Sequence, residues 1–211
     1  MSLYDLLSRG GLLMIPIGIS SILGLALVIE RLFSLRRSRI IPLELKKRIN
    51  KSIESGDLKI ALKITTNHAS PYARLTNRLL SGLNSTSPRK ISEILEEQGR
   101  REVHYLNRNV EIIGVLAAVT PLMGLLGTVT GMISVFREVM NQSGIKGINP
   151  AMLASGIWEA LVTTAAGLSV AIPLYIAYRY LGSKMEGLTL DLEEEIQKLF
   201  EMFHVSGGED K

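Results

Sequence analysis

Apolar positions along this chain gather in blocks before they show any period. Gly10–Ile29, Ile112–Phe136 and Ala160–Tyr178 contain no charged residue. At about 1.5 Å per residue, each run is long enough for a helix to cross a hydrocarbon layer about 30 Å thick. Three such runs in one small chain predict three membrane helices, at 10–30, 112–136 and 155–180. Between and after them the pattern turns amphipathic. Ile91, Ile94, Leu95, Leu106, Val110 and Ile113 oppose Glu96, Glu97, Arg100, Arg101 and Arg108, which predicts one helix running from Pro88 into the second block. Pro88 to Phe136 would span about 70 Å, far more than a bilayer core, so this helix is expected to project from the membrane. Beyond the third block, Leu188, Leu192, Ile196, Leu199 and Phe203 form one apolar stripe on a second such helix.

Breakers divide the segment between the first two blocks. Ser55–Asp57 reads SGD, His68–Leu75 reads HASPYARL, and Asn84–Pro88 reads NSTSP. Ser70 before Pro71 and Ser87 before Pro88 are expected helix starts, because proline at the first helical position lacks only an N–H that would have no partner there. Gly99, Pro121 and Pro173 are expected bends. No strand pattern emerges. The predicted fold is an all-α membrane protein with three transmembrane helices, two of them extended far into the cytoplasm and the first packed outside them.

Charge orients the spans. A basic cluster, Arg31, Arg36, Arg37 and Arg39, follows the first run, and residues 30–111 hold seventeen Lys or Arg against nine Asp or Glu. Basic loops stay in the cytoplasm. A cleavable signal would carry its positive charge before the run, where only Arg9 stands. The resulting expectation is an outer N-terminus at 1–9, a cytoplasmic helical loop at 31–111, a short periplasmic loop at 137–154, and a cytoplasmic C-terminal helix and tail at 181–211.

Composition removes other functions. Of the 211 residues 46% are hydrophobic but only 5% aromatic, and there is no cysteine, which rules out disulfides and thiolate metal sites. His68, His104 and His204 are scattered without ligand spacing. No nucleophile–base set or phosphate loop suggests an enzyme, and no aromatic interleaving of the basic residues suggests nucleic-acid binding.

Lipid gives little hydrophobic force between helices, so close contact there depends on small and polar residues. In the second span Thr120, Gly124, Gly127, Gly131 and Ser134 step by 4, 3, 4 and 3, with Thr128 beside them. In the third, Gly156, Ala160, Thr163, Thr164, Gly167 and Ala171 share about a third of the helical circumference, with Glu159 at its edge. The glycines read as packing surfaces. Glu159 has two readings: a headgroup-level acid or, if the helix starts near Pro150, an acid two turns inside, which suggests an ion path.

These stretches, "TPLMGLLGTVTGMISVF" and "GIWEALVTTAAGLSVAIPLYIAYRYL", resemble the paired signature of the MotA/TolQ/ExbB proton-channel family, and the ExbB/TolQ branch most closely. Three spans argue against a flagellar stator of the MotA type, which has four. The resemblance implies a bacterial inner-membrane protein with a periplasmic N-terminus and a cytoplasmic C-terminus. It implies a homo-pentamer in the lipid bilayer, surrounding a dimeric ExbD/TolR-like partner whose single span carries a proton-binding aspartate. Protons would be the transported ion, with no cofactor. The proton path would be lined by Glu159, Thr164 and Thr128, with Thr163 as an additional hydroxyl. Work would pass to TonB- or Tol-Pal-type periplasmic components. A non-conducting scaffold and a MotA-like stator relative remain the alternatives.

Overall fold

The computed structural model describes residues 11–83, 88–142 and 150–206. Among the described residues seven helices run in order: α1 Met14–Ser34, α2 Arg37–Ile40, α3 Leu43–Glu54, α4 Leu58–Thr66, α5 Pro71–Leu83, α6 Pro88–Gln142 and α7 Pro150–Ser206. Among the described residues there is no strand. Three helices, α1, α6 and α7, are long and apolar enough to cross a membrane, and between 22% and 33% of each apolar window is buried. The rest, including Leu122, Leu125, Ile133, Ile172 and Ile176, faces outward. Exposed apolar surface on this scale suits lipid or partner helices rather than water.

The chain forms two compact units, one from residues 1–30 and 109–180, the other from 31–108 and 181–211. In the first unit, α1 packs with the later part of α6 and the earlier part of α7. Glycines set the spacing. A Cβ on Gly124 would lie 3.1 Å from the Thr163 carbonyl oxygen and 3.1 Å from the Thr164 Cα, and one on Gly167 would lie 3.0 Å from the Thr120 carbonyl oxygen. Backbone therefore meets backbone here, and a Cβ at either position would force the two helices apart by a few tenths of an ångström. Above this point Gly127 receives the Thr163 methyl, Gly131 faces Ala160, and Gly156 faces Val135. Gly24 of α1 lies against Leu174 of α7. Pro121 and Pro173 lie inside α6 and α7, and both helices continue through them.

Helix extends further into the connection between the last two spans than the sequence pattern implies. Residues 137–142 belong to α6 and 150–154 to α7, leaving only 143–149 outside the described residues. The terminal segment 1–9 and the expected cap Ser87 also lie outside them.

The second unit gathers α2 to α5 around residues 88–108 of α6 and 181–206 of α7. Gly56, at φ +74°, makes the turn between α3 and α4, a backbone conformation that glycine adopts freely. Ser70 caps α5: its hydroxyl accepts the Ala73 N–H at 3.2 Å, while His68 Nδ1 accepts the Ser70 N–H at 3.3 Å. The core holds Leu35, Ile49, Tyr72, Leu79 and Leu181, together with Leu188, Leu192, Ile196 and Leu199 of the tail stripe. Burial of Tyr72 pushes its hydroxyl above the ordinary phenol range, and the nearby Glu195 charge adds to this. Glu195 pairs with Lys46 at 2.6 Å and Asp191 with Arg37 at 3.2 Å, tying the tail to α3 and α2.

One apolar position departs from expectation. Ile94 is 43% exposed, whereas Glu102 is 5% exposed. The buried row runs Ile91, Leu106 and Val110, with the carboxylate of Glu102 taking a place in it. Arg74 makes this possible. Its Nε donates to Glu102 Oε1 at 2.7 Å, its Nη2 pairs with Oε2, and Gln98 Nε2 donates to Oε1 at 3.2 Å. The same hydrogen bonding raises the Arg74 guanidinium above its usual range.

Two predictions follow from packing. Arg74→Met leaves a buried carboxylate without its fork partner and is expected to destabilise by about 2 kcal/mol, a reduced figure because Arg74 is partly exposed; adding Glu102→Leu should restore most of the loss in thermal melts followed by circular dichroism. Gly124→Leu forces α6 off the α7 backbone and should cost about 1–3 kcal/mol. Gly18→Ala, where nothing lies within 4 Å of the new atom, should leave the melting temperature unchanged or raise it slightly.

Candidate functional site

Hydroxyls concentrate where α6 and α7 approach, and the helix backbone engages each of them. Thr164 Oγ1 donates across the interface to the Gly124 carbonyl at 2.9 Å. Thr163 Oγ1 donates to the Glu159 carbonyl at 3.1 Å, and Thr128 Oγ1 to the Leu125 carbonyl at 2.7 Å. Thr120 Oγ1 donates to the Leu116 carbonyl at 2.6 Å, Thr130 Oγ1 to Leu126 at 2.9 Å, and Ser134 Oγ to Thr130 at 3.0 Å. A hydroxyl has one proton to donate and two lone pairs. With the proton committed to a carbonyl, these groups retain acceptor capacity and offer little as donors.

The two adjacent threonines of α7 are not equivalent. Thr163 is 2% exposed and fills the space beside Gly127, so within one chain it is a packing residue. Thr164 is half-buried and bridges to α6, and Thr128, also half-buried, sits one turn along α6 from the carbonyl that Thr164 reaches. Thr128 and Thr164 are therefore close to the same stretch of backbone and keep part of their surface outside the subunit. The glycines Gly124, Gly127, Gly131, Gly156 and Gly167 all lie in the helix contact.

Glu159 is the tenth residue of α7, which starts at Pro150. Its side chain is exposed rather than enclosed between α6 and α7. It lines a cavity of about 690 Å³ at this end of the unit, together with Gly11, Leu13, Thr130, Glu138 and Thr163. Its Oε1 lies 3.0 Å from where a Cβ on Gly11 would stand. The cavity thus brings Glu159 and Thr163 together, while Thr128 and Thr164 lie elsewhere.

Three lining residues, Gly11, Thr130 and Glu138, are absent from the sequence-based candidates. Glu138 was legible in one respect: Gly127, Gly131, Ser134 and Glu138 continue the small-residue row at steps of 4, 3 and 4. Its assignment to a loop, where helix in fact continues, concealed it. Among the described residues no group of three or more His, Cys, Asp or Glu side chains could hold a metal ion. Chemically, the site offers two carboxylates, Glu138 and Glu159, as proton acceptors, and a set of hydroxyl oxygens.

Residues 66–194 match the model of the MotA/TolQ/ExbB proton channel family. That region contains both small-residue rows, Thr128, Glu159, Thr163 and Thr164. A biopolymer transport protein of Synechocystis, ExbB-like 1, is 34% identical over 86% of this chain and 71% of its own length. The biopolymer transport protein ExbB1 of Vibrio cholerae is 31% identical over 82% of this chain and 75% of its own. The Tol-Pal system protein TolQ of Haemophilus influenzae is 36% identical over 49% of this chain and 44% of its own. With three helices able to cross a membrane and a family match over more than half its length, the chain is a membrane protein that belongs to the MotA/TolQ/ExbB proton channel family.

Proposed function

We propose that this chain is the inner-membrane channel subunit of a proton-driven motor that works on the bacterial outer envelope. The observation that carries the proposal is the placement of an acid, Glu159, at the edge of the charge-free run 160–178, together with the hydroxyls Thr128, Thr163 and Thr164 inside the charge-free runs of the second and third spans. An acid two turns inside an apolar helix is costly and by default suggests an ion path. Family membership supports the same reading, as do relatives named for biopolymer transport and for the Tol-Pal system.

A proton relay needs acceptors that exchange at more than one level. Thr128 and Thr164 supply oxygen lone pairs but no titrating group, so a relay passing between them requires an acid from outside this chain at their own positions. An ExbD/TolR-type dimer, each subunit with one span bearing an aspartate, meets that requirement, and a pentamer of this chain around it meets the need to cover the outward apolar faces. The basic segment 31–111 favours a cytoplasmic side for the second compact unit and a periplasmic side for the start of α1. Work would then be delivered to a TonB- or Tol-Pal-type component. The role involves transport of protons without a cofactor or a covalent reaction.

A packing role for Thr163 favours the scaffold reading at that position, and flux measurements separate the two. The chain and its partner, reconstituted in liposomes under a pH gradient, should conduct protons. Glu159→Gln and Thr164→Val should each lower flux by about tenfold or more, in the range of losing one well-placed proton-transfer group. Gly99→Ala, which introduces a Cβ into open space, should conduct as wild type. Equal flux in all four proteins would rule out the lining assignment, and absence of flux in wild type with its partner would support a scaffold.

A further inference from the structure

We infer that Glu159 is a positioning residue that holds the start of α1 against α7. Two independent features of Gly11 point to it. Its φ is +67°, a left-handed conformation in which a side chain is strained. A Cβ there would also lie 3.0 Å from the Glu159 carboxylate oxygen, so the carboxylate stands directly against Gly11. The surroundings explain why an acid belongs there. Helical backbone bonding in α1 opens with Met14 N to Gly11 O at 3.2 Å and Ile15 N to Leu12 O at 3.3 Å. The N–H groups of Gly11, Leu12 and Leu13 therefore precede the first bonded turn and lack carbonyl partners within the helix. A carboxylate beside this end meets both their partial charge and the positive end of the helix dipole. α1 has no acidic residue in its own first turn, so the acid comes from α7. Immediately after this turn, Met14 and Ile17 are buried, which makes the start of α1 a packed end whose seating affects the adjacent core.

This role concerns the placement of α1 and does not depend on proton conduction. It also accounts for the exposure of Glu159 to the three-helix cavity instead of the contact between α6 and α7.

The chain has no native cysteine, so a single Met14→Cys reports on this end without background. Labelling of that cysteine by a thiol reagent, in the full chain in detergent, should be slow. Glu159→Ala should raise the rate by roughly two- to tenfold, the range for losing a carboxylate from a helix start. Glu159→Gln, which retains a hydrogen-bond acceptor without charge, should fall between, and Glu159→Asp should recover part of the protection. Gly11→Ala should raise the rate from the other side of the contact, and in that background Glu159→Ala should add little. An unchanged rate in Glu159→Ala, or full additivity of the two substitutions, would overturn the inference. Proton flux measured on the same proteins separates this role from the lining assignment: Gly11→Ala with raised labelling and normal flux leaves the conduction reading intact, and reduced flux in Glu159→Gln with normal labelling refutes the positioning role alone.

Discussion

The backbone contact between α6 and α7 at Gly124 and Gly167 sets the rest of the membrane unit. Two apolar helices in lipid gain little from leaving it, because the tails are as apolar as the side chains they replace. What holds them is the close fit of surfaces, and this fit tightens only where side chains are absent. At Gly124 the neighbours of the missing Cβ are the Thr163 carbonyl oxygen and the Thr164 Cα. That proximity brings the Thr164 hydroxyl within 2.9 Å of the Gly124 carbonyl. The polar group and the glycine thus depend on one another. Without the small residue the hydroxyl could not reach across, and without the hydroxyl the approach would rest on dispersion alone.

The second unit solves its problem differently. Its core is that of a water-soluble helical domain, with caps, a left-handed glycine turn and an apolar stripe on the tail. Its unusual element is the carboxylate of Glu102 inside the buried row of α6. The fork of Arg74 and the amide of Gln98 together satisfy that carboxylate. Such an arrangement favours one register of α5 against α6, since a shift of either helix would leave an acid facing apolar neighbours.

Much of this was legible along the chain. Charge-free runs mark membrane helices because lipid excludes charge, and the rows of glycine, alanine and threonine mark the helix contact because close approach tolerates little else. The tail stripe at Leu188, Leu192, Ile196 and Leu199 is likewise a direct reading of helical period. What escaped depends on partners distant in sequence. Ile94 read as a core residue, and the buried place of Glu102 was not read at all, since the arginine that holds it lies 28 positions earlier. Thr163 and Thr164 could not be ranked from the wheel, because adjacent residues differ by about 100° and both fell within one sector. The neighbour of Glu159 is Gly11, at the opposite end of the sequence, and no local pattern connects them.

Pro121 and Pro173 change the properties of the two long helices in another way. Each proline removes an amide hydrogen, so the carbonyls of Ala117 and Ser169, four residues earlier, lose their usual helical donor. Within hydrocarbon no solvent compensates, so these oxygens require a hydroxyl, a water or a neighbouring chain. Each helix is therefore one backbone bond weaker at a definite level of its apolar segment. α6 and α7 nevertheless run on through both prolines, so neighbouring groups at these two levels hold what the missing backbone bond does not.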